Sequence, residues 1–284
     1  MSRIAIVTDS TCDLPAELAQ AHGITVIPDY VRFGEEVFRD QVDLSTAEFF
    51  KRLRDSRECP KTSQPTPAEF AQVYQGLLQH NDYVFSIHLA SKLSGVCASA
   101  ALGAQLVGTN VVEVVDSGWV SMGLGFAVLE AAEAANARRS VDEVRDAIRH
   151  AVASMRLLFT IDNLAYLEKS GRIGRASVFL GTLLGIKPVI TIENAEVLPV
   201  ERVRGASRLL PRVLDLMSQT TPPNVPIRAA VIHADALKQA AEWEAAVRSR
   251  FSCEELITCE CNTIIGSYAG PGSIGVAWYP TRRF

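Results

Sequence analysis

The sequence predicts an α/β protein with two α/β domains, and three observations support this. Apolar runs rich in β-branched residues alternate with helical stretches along the whole chain. Three Ser or Thr residues are followed three positions later by Glu, as at helix starts. The alternation begins again after Met155. We therefore expect a mainly parallel sheet flanked by helices in residues 1–155, and a mixed sheet with helices in residues 156–284.

In residues 1–155, short runs of apolar and β-branched residues predict five strands. These are Ile4–Val7, Ile24–Ile27, Tyr30–Phe33, Tyr83–Ile87 and Val111–Val115. The capping signals at Ser45, Thr66 and Ser140 predict helices that end near Ser56, His80 and Met155. Asp13 has N-cap chemistry, so another helix is expected after it and before Gly23. A further helix is predicted from about Ser94 to Val107.

The same reading of residues 156–284 gives six strands and four helices. The strands are Leu157–Ile161, Val189–Glu193, Val197–Val203, Ala229–His233, Leu256–Cys261 and Val276–Tyr279. The second and third flank Asn194-Ala195, which predicts a hairpin. The helices are Asn163–Lys169, the Gly-broken run Val178–Leu184, one from Ser207, and Ala236–Arg250.

Composition excludes several classes of protein. The chain has 284 residues, of which 48% are hydrophobic, and a formal net charge of −4, so we expect a packed globular protein without a basic nucleic-acid surface. No apolar run approaches the ~20 residues of a membrane helix, and the start becomes polar too soon for a signal peptide. We expect a cytoplasmic protein with no integral membrane segment; transient contact with a membrane surface stays open.

Four polar loops break the alternation. They are Thr8–Thr11, Thr62–Pro65, Ser91–Gly95 and Gly266–Gly272. Three of them follow predicted strands, where open α/β sheets bind their ligands. Ser94-Gly95 is expected to begin a helix, so its hydroxyl and free N–H groups suit an anion such as a carboxylate or phosphate. Taken singly, each loop also has an ordinary interpretation as a cap or turn.

Enzyme motifs are missing from the sequence. It contains no GxxxxGK[ST], GxGxxG, HExxH or GxSxG pattern. Its five histidines and six cysteines lack the spacing of catalytic or metal-binding sets. Arg172 stands between Gly171 and Gly174, where it either pairs with an anion or lies at the C-terminal end of a helix and complements the helix dipole. We therefore assign no catalytic residue, no metal and no cofactor.

The polar loops belong to an ordered set of motifs that spans essentially the whole chain. The set is Thr8–Pro15, Thr62–Pro67, Leu93–Gly95, Val115–Ser117, Asn163–Leu167, Gly171–Gly174, Lys187-Pro188 and Gly270–Gly272. In this order the sequence resembles the DegV family, the fatty-acid-binding proteins that serve bacterial fatty acid kinase. The resemblance implies a two-domain α/β fold, with an acyl chain buried in one domain and its carboxylate at the cleft between the domains.

The resemblance also implies which residues hold the carboxylate. Carried over by motif, Thr62 or Ser63 and Ser94 would donate hydrogen bonds to it, and the Gly95 amide would assist. Tyr268 stands in the segment before Gly-Pro-Gly, where relatives commonly carry His. A phenol can donate to a carboxylate, but it is not a cation near neutral pH.

Arg172 and Ser117 would lie near the head group, where phosphate is delivered to the bound fatty acid in this family. The resemblance implies that a separate kinase subunit phosphorylates the bound fatty acid to an acyl phosphate for phospholipid synthesis, so this chain would be a carrier and not an enzyme. The Gly-spaced run Trp119–Leu129 is interpreted as a core helix, and Val178–Ile186 as a wall of the acyl pocket. Two alternatives stay open: an enzyme acting on a small carboxylated or phosphorylated substrate in the same cleft, and a regulatory lipid sensor.

Overall fold

A computed structural model describes residues 2–56, 59–181 and 185–281. The strands of the first half are β1 Ile4–Asp9, β2 Ile24–Ile27, β3 Tyr30–Phe33, β4 Glu36–Arg39, β5 Lys61–Ser63, β6 Tyr83–His88 and β7 Val112–Asp116. Its helices are α1 Ala16–Ala21, α2 Thr46–Asp55, α3 Pro67–Leu78, α4 Val96–Val107, α5 Met122–Asn136 and α6 Val141–Ser154. A short 3₁₀ helix, Ser10–Cys12, follows β1.

The second half has six described strands and four described α-helices. The strands are β8 Arg156–Thr160, β9 Ile186–Glu193, β10 Glu196–Arg204, β11 Ile227–His233, β12 Cys253–Glu260 and β13 Ile274–Pro280. The helices are α7 Ala165–Ser170, α8 Leu209–Thr220, α9 Leu237–Arg250 and α10 Thr263–Ala269. Two 3₁₀ helices, Gly174–Phe179 and Ala206–Arg208, lie beside β9 and β10 in the sequence.

Three sheets organise these elements. The first is wholly parallel, in the order β2-β1-β6-β7. A small antiparallel sheet has the order β4-β3-β5. The third has the order β10-β9-β8-β13-β11-β12 and is mixed, because β11 and β12 are parallel while the other pairs are antiparallel. The predicted α/β class, with a parallel sheet followed by a mixed one, is confirmed; the domain boundary at 155/156 stays a prediction.

Helix starts that depend on local chemistry are where the sequence places them. Ser45, Thr66 and Ser140 each accept a hydrogen bond from the backbone N–H of the Glu three residues later, and the carboxylate of that Glu accepts one from the backbone N–H of the cap residue. Two orphan N–H donors are satisfied at each start. The predicted hairpin is also confirmed, with Asn194 and Ala195 both at positive φ between β9 and β10.

The prediction that Asp13 caps a helix is wrong. Helix α1 begins at Ala16 with Pro15 as its N-cap residue, and Asp13 lies before it at φ 54°. The Asp13 carboxylate instead accepts hydrogen bonds from Ser121 and Asn262, which are distant in the sequence. Long-range donors have taken the place of the local N–H groups that a cap would use.

Three further elements differ from expectation. Thr62 and Ser63 lie on strand β5, and Tyr268 lies on helix α10, although both segments were predicted to be loops. The α-helix predicted from Val178 is wrong, because Val178 lies in a 3₁₀ helix that ends at Phe179, and Leu180 is extended. Residues 182–184 of that run lie outside the described residues. Short elements of this kind contain too few residues to show a hydrophobic period in the sequence.

The apolar core extends across both halves of the chain. Residues of β1, β6 and α5 pack in one cluster with residues of β8, β11 and β13. Helix α5 is buried from Met122 to Leu129, so the interpretation of Trp119–Leu129 as a core helix is confirmed for those residues. A second cluster lies between the mixed sheet and helices α8 and α9, around Met217 and Trp243. No α-helix in the described ranges is long and apolar enough to cross a bilayer.

Candidate ligand cavity

An apolar cavity lies between the loops of the first half and the mixed sheet. It encloses about 850 Å³ that no protein atom occupies, part of it open to solvent. Its apolar wall includes Leu89, Leu93, Val120, Leu157, Phe159, Ile161, Leu167, Ile192, Val197, Ile232, Ile264, Ile265 and Ile274. Such a wall suits a hydrocarbon and offers a buried polar ligand few partners.

The alternation of strand residues builds this wall. Leu157 and Phe159 on β8 share one face, because side chains two residues apart point the same way. On β11, Ile232 faces the cavity while its neighbour Val231 packs into the second core cluster. On β13, a Cβ at Gly275 would lie 2.8 Å from Phe159 Cβ. Glycine there lets β13 and the Phe159 side chain approach closely.

Tyr268 brings polar chemistry to the cavity wall. Its phenol and the Thr62 hydroxyl form a hydrogen bond that joins α10 to β5 across 206 residues of sequence. The Arg172 guanidinium carbon lies 5.6 Å from the centre of the Tyr268 ring, and both residues line the cavity. Arg172 also donates to the Ser170 carbonyl over 2.6 Å. Two hydroxyls and one cation therefore meet at one place.

The Ser94-Gly95 segment packs against the segment that follows Thr62. Gly95 is the N-cap residue of α4, and Ser94 Oγ accepts from Val96 N at 3.3 Å, which leaves its hydrogen available. A Cβ at Gly95 would lie 2.9 Å from Gln64 Nε2, so the Gln64 amide lies directly over this glycine. Leu93, one residue earlier, lines the cavity. The structure thus brings the two predicted segments together.

Ser63 and Ser117 are placed elsewhere. Ser63 is exposed, because it follows Thr62 on β5 and so points to the opposite face of the strand. Ser117 is buried in the turn after β7, where its N–H donates to the His88 carbonyl at 3.0 Å and its Oγ accepts from Trp119 N at 3.1 Å. Ser117 lines a second cavity and not the apolar one.

His233 and Ser121 are polar residues of the wall that sequence reasoning missed. His233, at the end of β11, is 5% exposed, and burial lowers the pKa of its imidazole. It is therefore neutral near pH 7, which suits an apolar wall. Ser121 adopts φ 54° before α5 and donates to the Asp13 carboxylate. Neither residue stands in a motif, so no sequence signal marked it.

No metal site accompanies the cavity in the described part of the chain. Within residues 2–56, 59–181 and 185–281, no three His, Cys, Asp or Glu side chains are grouped to hold an ion. Cys259 and Cys261 are both buried, and burial raises the pKa of each thiol well above its ordinary value. They are neutral thiols in the core.

A family model matches residues 3–281, and it is described as "Uncharacterised protein, DegV family". The chain belongs to the DegV family. Protein DegV of Bacillus subtilis is 33% identical over 276 residues, which cover 97% of this chain and 98% of that protein. A DegV domain-containing protein of Deinococcus radiodurans is 39% identical over 280 residues, covering 98% of each.

Solved DegV structures share the fold over the full length. A DegV family protein from Thermus thermophilus, described by its fatty acid binding, has a TM-score of 0.94 and 35% identity, covering 98% of this chain and 100% of that one. DegV of Bacillus subtilis, described as a fatty acid binding protein, has a TM-score of 0.89 and 32% identity, covering 99% and 100%. The resemblance predicted from the loops is confirmed, and so is the DegV-like fold.

Proposed function

We propose that this DegV protein binds a long-chain fatty acid and presents it to a separate kinase subunit, which phosphorylates it to an acyl phosphate. The observation that carries the proposal is an apolar cavity whose wall includes Tyr268 and Arg172, with Thr62 bonded to that phenol. Such a cavity matches a ligand with a long apolar tail and one anionic head. The fatty acid binding described for the Thermus and Bacillus proteins supports the same ligand class.

The acyl tail would supply most of the affinity. Burying ~14 methylenes at about 0.8 kcal/mol each gives roughly 11 kcal/mol of gross driving force. Lost ligand freedom offsets much of this. This driving force needs no specific contacts between the tail and the wall, since the hydrophobic effect is not directional. Acyl length would depend on how far the cavity extends.

The head group would be oriented by hydrogen bonds. An ionised carboxylate only accepts, so each oxygen needs donors. Thr62 and Tyr268 now bond to each other; on binding, each would turn its hydrogen to a carboxylate oxygen. Ser94 and the Gly95 amide would add donors, and of the Thr62/Ser63 pair the side-chain direction favours Thr62. Each such charge-assisted bond contributes about 1.5–3 kcal/mol.

Phosphate would be delivered beside Arg172, whose guanidinium can pair with phosphate oxygens. Ser117 stays a predicted neighbour of the head group, although its present contacts are those of a turn. In this proposal the head group lies at the cleft between domains 1–155 and 156–284, and the protein works in the cytoplasm. The kinase subunit supplies the nucleotide chemistry, so this chain is a carrier.

Mass spectrometry tests the ligand class without assuming a reaction. Protein purified from a bacterial host should show an added mass under native conditions and release a long-chain acid on denaturation. A protein that is purified empty, and that also ignores added oleate, would exclude fatty acid binding. A transfer assay with labelled ATP and a fatty acid kinase subunit separates the carrier from a sensor, because only the carrier yields labelled acyl phosphate.

Isosteric variants test the head-group assignment. Thr62→Val and Tyr268→Phe each remove one hydroxyl, and each should weaken oleate binding about tenfold, as expected for one lost hydrogen bond. Tyr83→Phe is the matched control, because its hydroxyl donates to Glu113 on the neighbouring strand β7. The double variant Thr62→Ala/Ser94→Ala should bind still more weakly. Unchanged affinity in that double variant would refute the assignment.

A further inference from the structure

The motif Thr8–Pro15 has no role in the head-group site, yet it contacts the helix that carries Tyr268. The Asn262 amide N–H donates to Asp13 Oδ1 over 2.7 Å, and its side-chain Nδ2 donates to the same oxygen over 2.6 Å. Asn262 Nδ2 also donates to the Ser10 carbonyl over 2.7 Å. Asn262 is the N-cap residue of α10, and its Oδ1 accepts from Ile265 N at 2.8 Å. The motif therefore holds the start of this helix.

A second buried carboxylate holds the next residue of α10. Asp40 Oδ1 accepts from the Thr263 amide at 3.1 Å and from its hydroxyl at 2.8 Å. Asp13 and Asp40 are 6% and 1% exposed. Together they satisfy the first free N–H groups of α10, which local residues would satisfy in an ordinary helix. Both carboxylates come from the first half of the chain, while α10 belongs to the second.

Helix α10 in turn forms part of the cavity. Ile264, Ile265, Tyr268 and Ala269 all line it. The helix has only seven residues, so a shift of its N-terminus moves Tyr268 almost as far. Asp13 also accepts from Ser121, which lines the cavity from the start of α5. One carboxylate thus links two segments of the wall without lining the cavity itself.

We propose that Asp13, assisted by Asp40, is a positioning residue: it holds the N-terminus of α10 so that the Tyr268 phenol meets Thr62 at the head-group site. This inference deepens the proposed fatty acid binding and rests on it. Asp13 acts through Asn262 and α10, and it makes no contact with the ligand. The motif Thr8–Pro15 thereby gains a role that its place outside the cavity does not suggest.

Two substitutions of Asp13 separate positioning from charge. Asparagine keeps an oxygen for Asn262, and its amide can donate to the Ser121 hydroxyl, so Asp13→Asn preserves the bridge. Asp13→Ala removes both carboxylate oxygens and leaves the backbone N–H of Asn262 without its acceptor. Tyr74→Phe is a matched control for the loss of a buried hydrogen bond, because Tyr74 donates to Ser86 in the parallel-sheet half.

The first experiment needs no ligand. In protein with ¹³C-labelled tyrosine, the ring signal of Tyr268 is assigned by its disappearance in Tyr268→Phe. We expect this signal to move in Asp13→Ala and to stay in place in Asp13→Asn and Tyr74→Phe. A Tyr268 signal that is the same in Asp13→Ala and wild type would overturn the proposal.

The second experiment measures oleate affinity in a double-mutant cycle. Asp13→Ala should weaken binding about tenfold, like Tyr268→Phe, and Asp13→Asn should restore it. In a Tyr268→Phe background, Asp13→Ala should weaken binding no further, because the hydroxyl it positions is gone. If the losses of oleate affinity caused by the two substitutions multiply, as they do for independent sites, the proposal is contradicted.

The two experiments distinguish the failure of each idea. If wild-type protein does not bind oleate, the proposed function fails, and the tyrosine signal still decides whether Asp13 positions α10. If wild-type protein binds oleate but Asp13→Ala binds equally well, only the positioning role fails. Should Asp13→Ala not fold, Asn262→Ala removes the side-chain bond to Asp13 while its backbone N–H still donates to Asp13 Oδ1, and a smaller shift of the Tyr268 signal is expected.

Discussion

Replacing Asp13 by Asn should stabilise the protein at alkaline pH. Asp13 is buried, and desolvation is the largest cause that raises the pKa of its carboxyl from 3.8 to about 7. Hydrogen bonds from Ser121 and Asn262 oppose the rise, and the neighbouring charge of Asp40 adds to it. The other titratable groups that interact electrostatically with Asp13 are the thiols of Cys12, Cys259 and Cys261. No cation is among these named groups.

The pKa difference sets the size and sign of the effect. Between pH 3.8 and about 7 the folded state keeps a proton on Asp13 that the unfolded state has released, so stability falls as pH rises through this window. Above pH 7 the loss is complete and amounts to about 4 kcal/mol, at 1.36 kcal/mol per pKa unit. At pH 5 the loss is only about 2 kcal/mol on the same basis.

Urea unfolding at pH 5 and pH 8 measures this directly. Asp13→Asn should exceed wild type in free energy of unfolding by about 2 kcal/mol more at pH 8 than at pH 5. Burial also raises the pKa values of Asp29 and Asp40, which both proteins contain. Their contributions cancel in the difference except for the repulsion between the Asp40 and Asp13 charges, which Asp13→Asn removes as part of the same effect. A difference between the two proteins that is the same at both pH values would refute the reasoning.

Two other changes probe helix packing, and a third probes the cavity. Gly103→Ala should lower the free energy of unfolding by about 1–3 kcal/mol, because the new Cβ would lie 2.5 Å from Phe70 Cβ and 2.9 Å from the Pro67 carbonyl. Gly76→Ala, on helix α3 with open space around it, should raise stability by about 0.5–1 kcal/mol; thermal melts in which the two variants behaved alike would contradict this. Ile232→Trp should fill the cavity and weaken oleate binding more than tenfold in a titration, and undiminished affinity would place the ligand elsewhere.

The sequence by itself determined the features whose causes are local. Strand and helix order follows from hydrophobic period, and the starts of α2, α3 and α6 follow from a cap residue and a Glu three positions later. The hairpin at Asn194 follows from turn chemistry. The ordered polar loops indicated the family. Each of these signals involves residues within one turn or one strand, so no tertiary contact is needed to produce it.

Only the tertiary structure decided how distant residues share one site. Thr62 and Tyr268 meet because β5 and α10 pack together. Asp13 accepts from Asn262 instead of capping its own helix because the fold places the Asn262 donors against its carboxyl group. Strand alternation leaves Ser63 exposed, and the turn after β7 holds Ser117 through hydrogen bonds of its own; their roles at the head group stay predictions. The cavity itself is space that side chains of the mixed sheet, of helix α10 and of the first-half loops leave unfilled. Such properties depend on contacts between residues far apart in the chain, which local patterns do not encode.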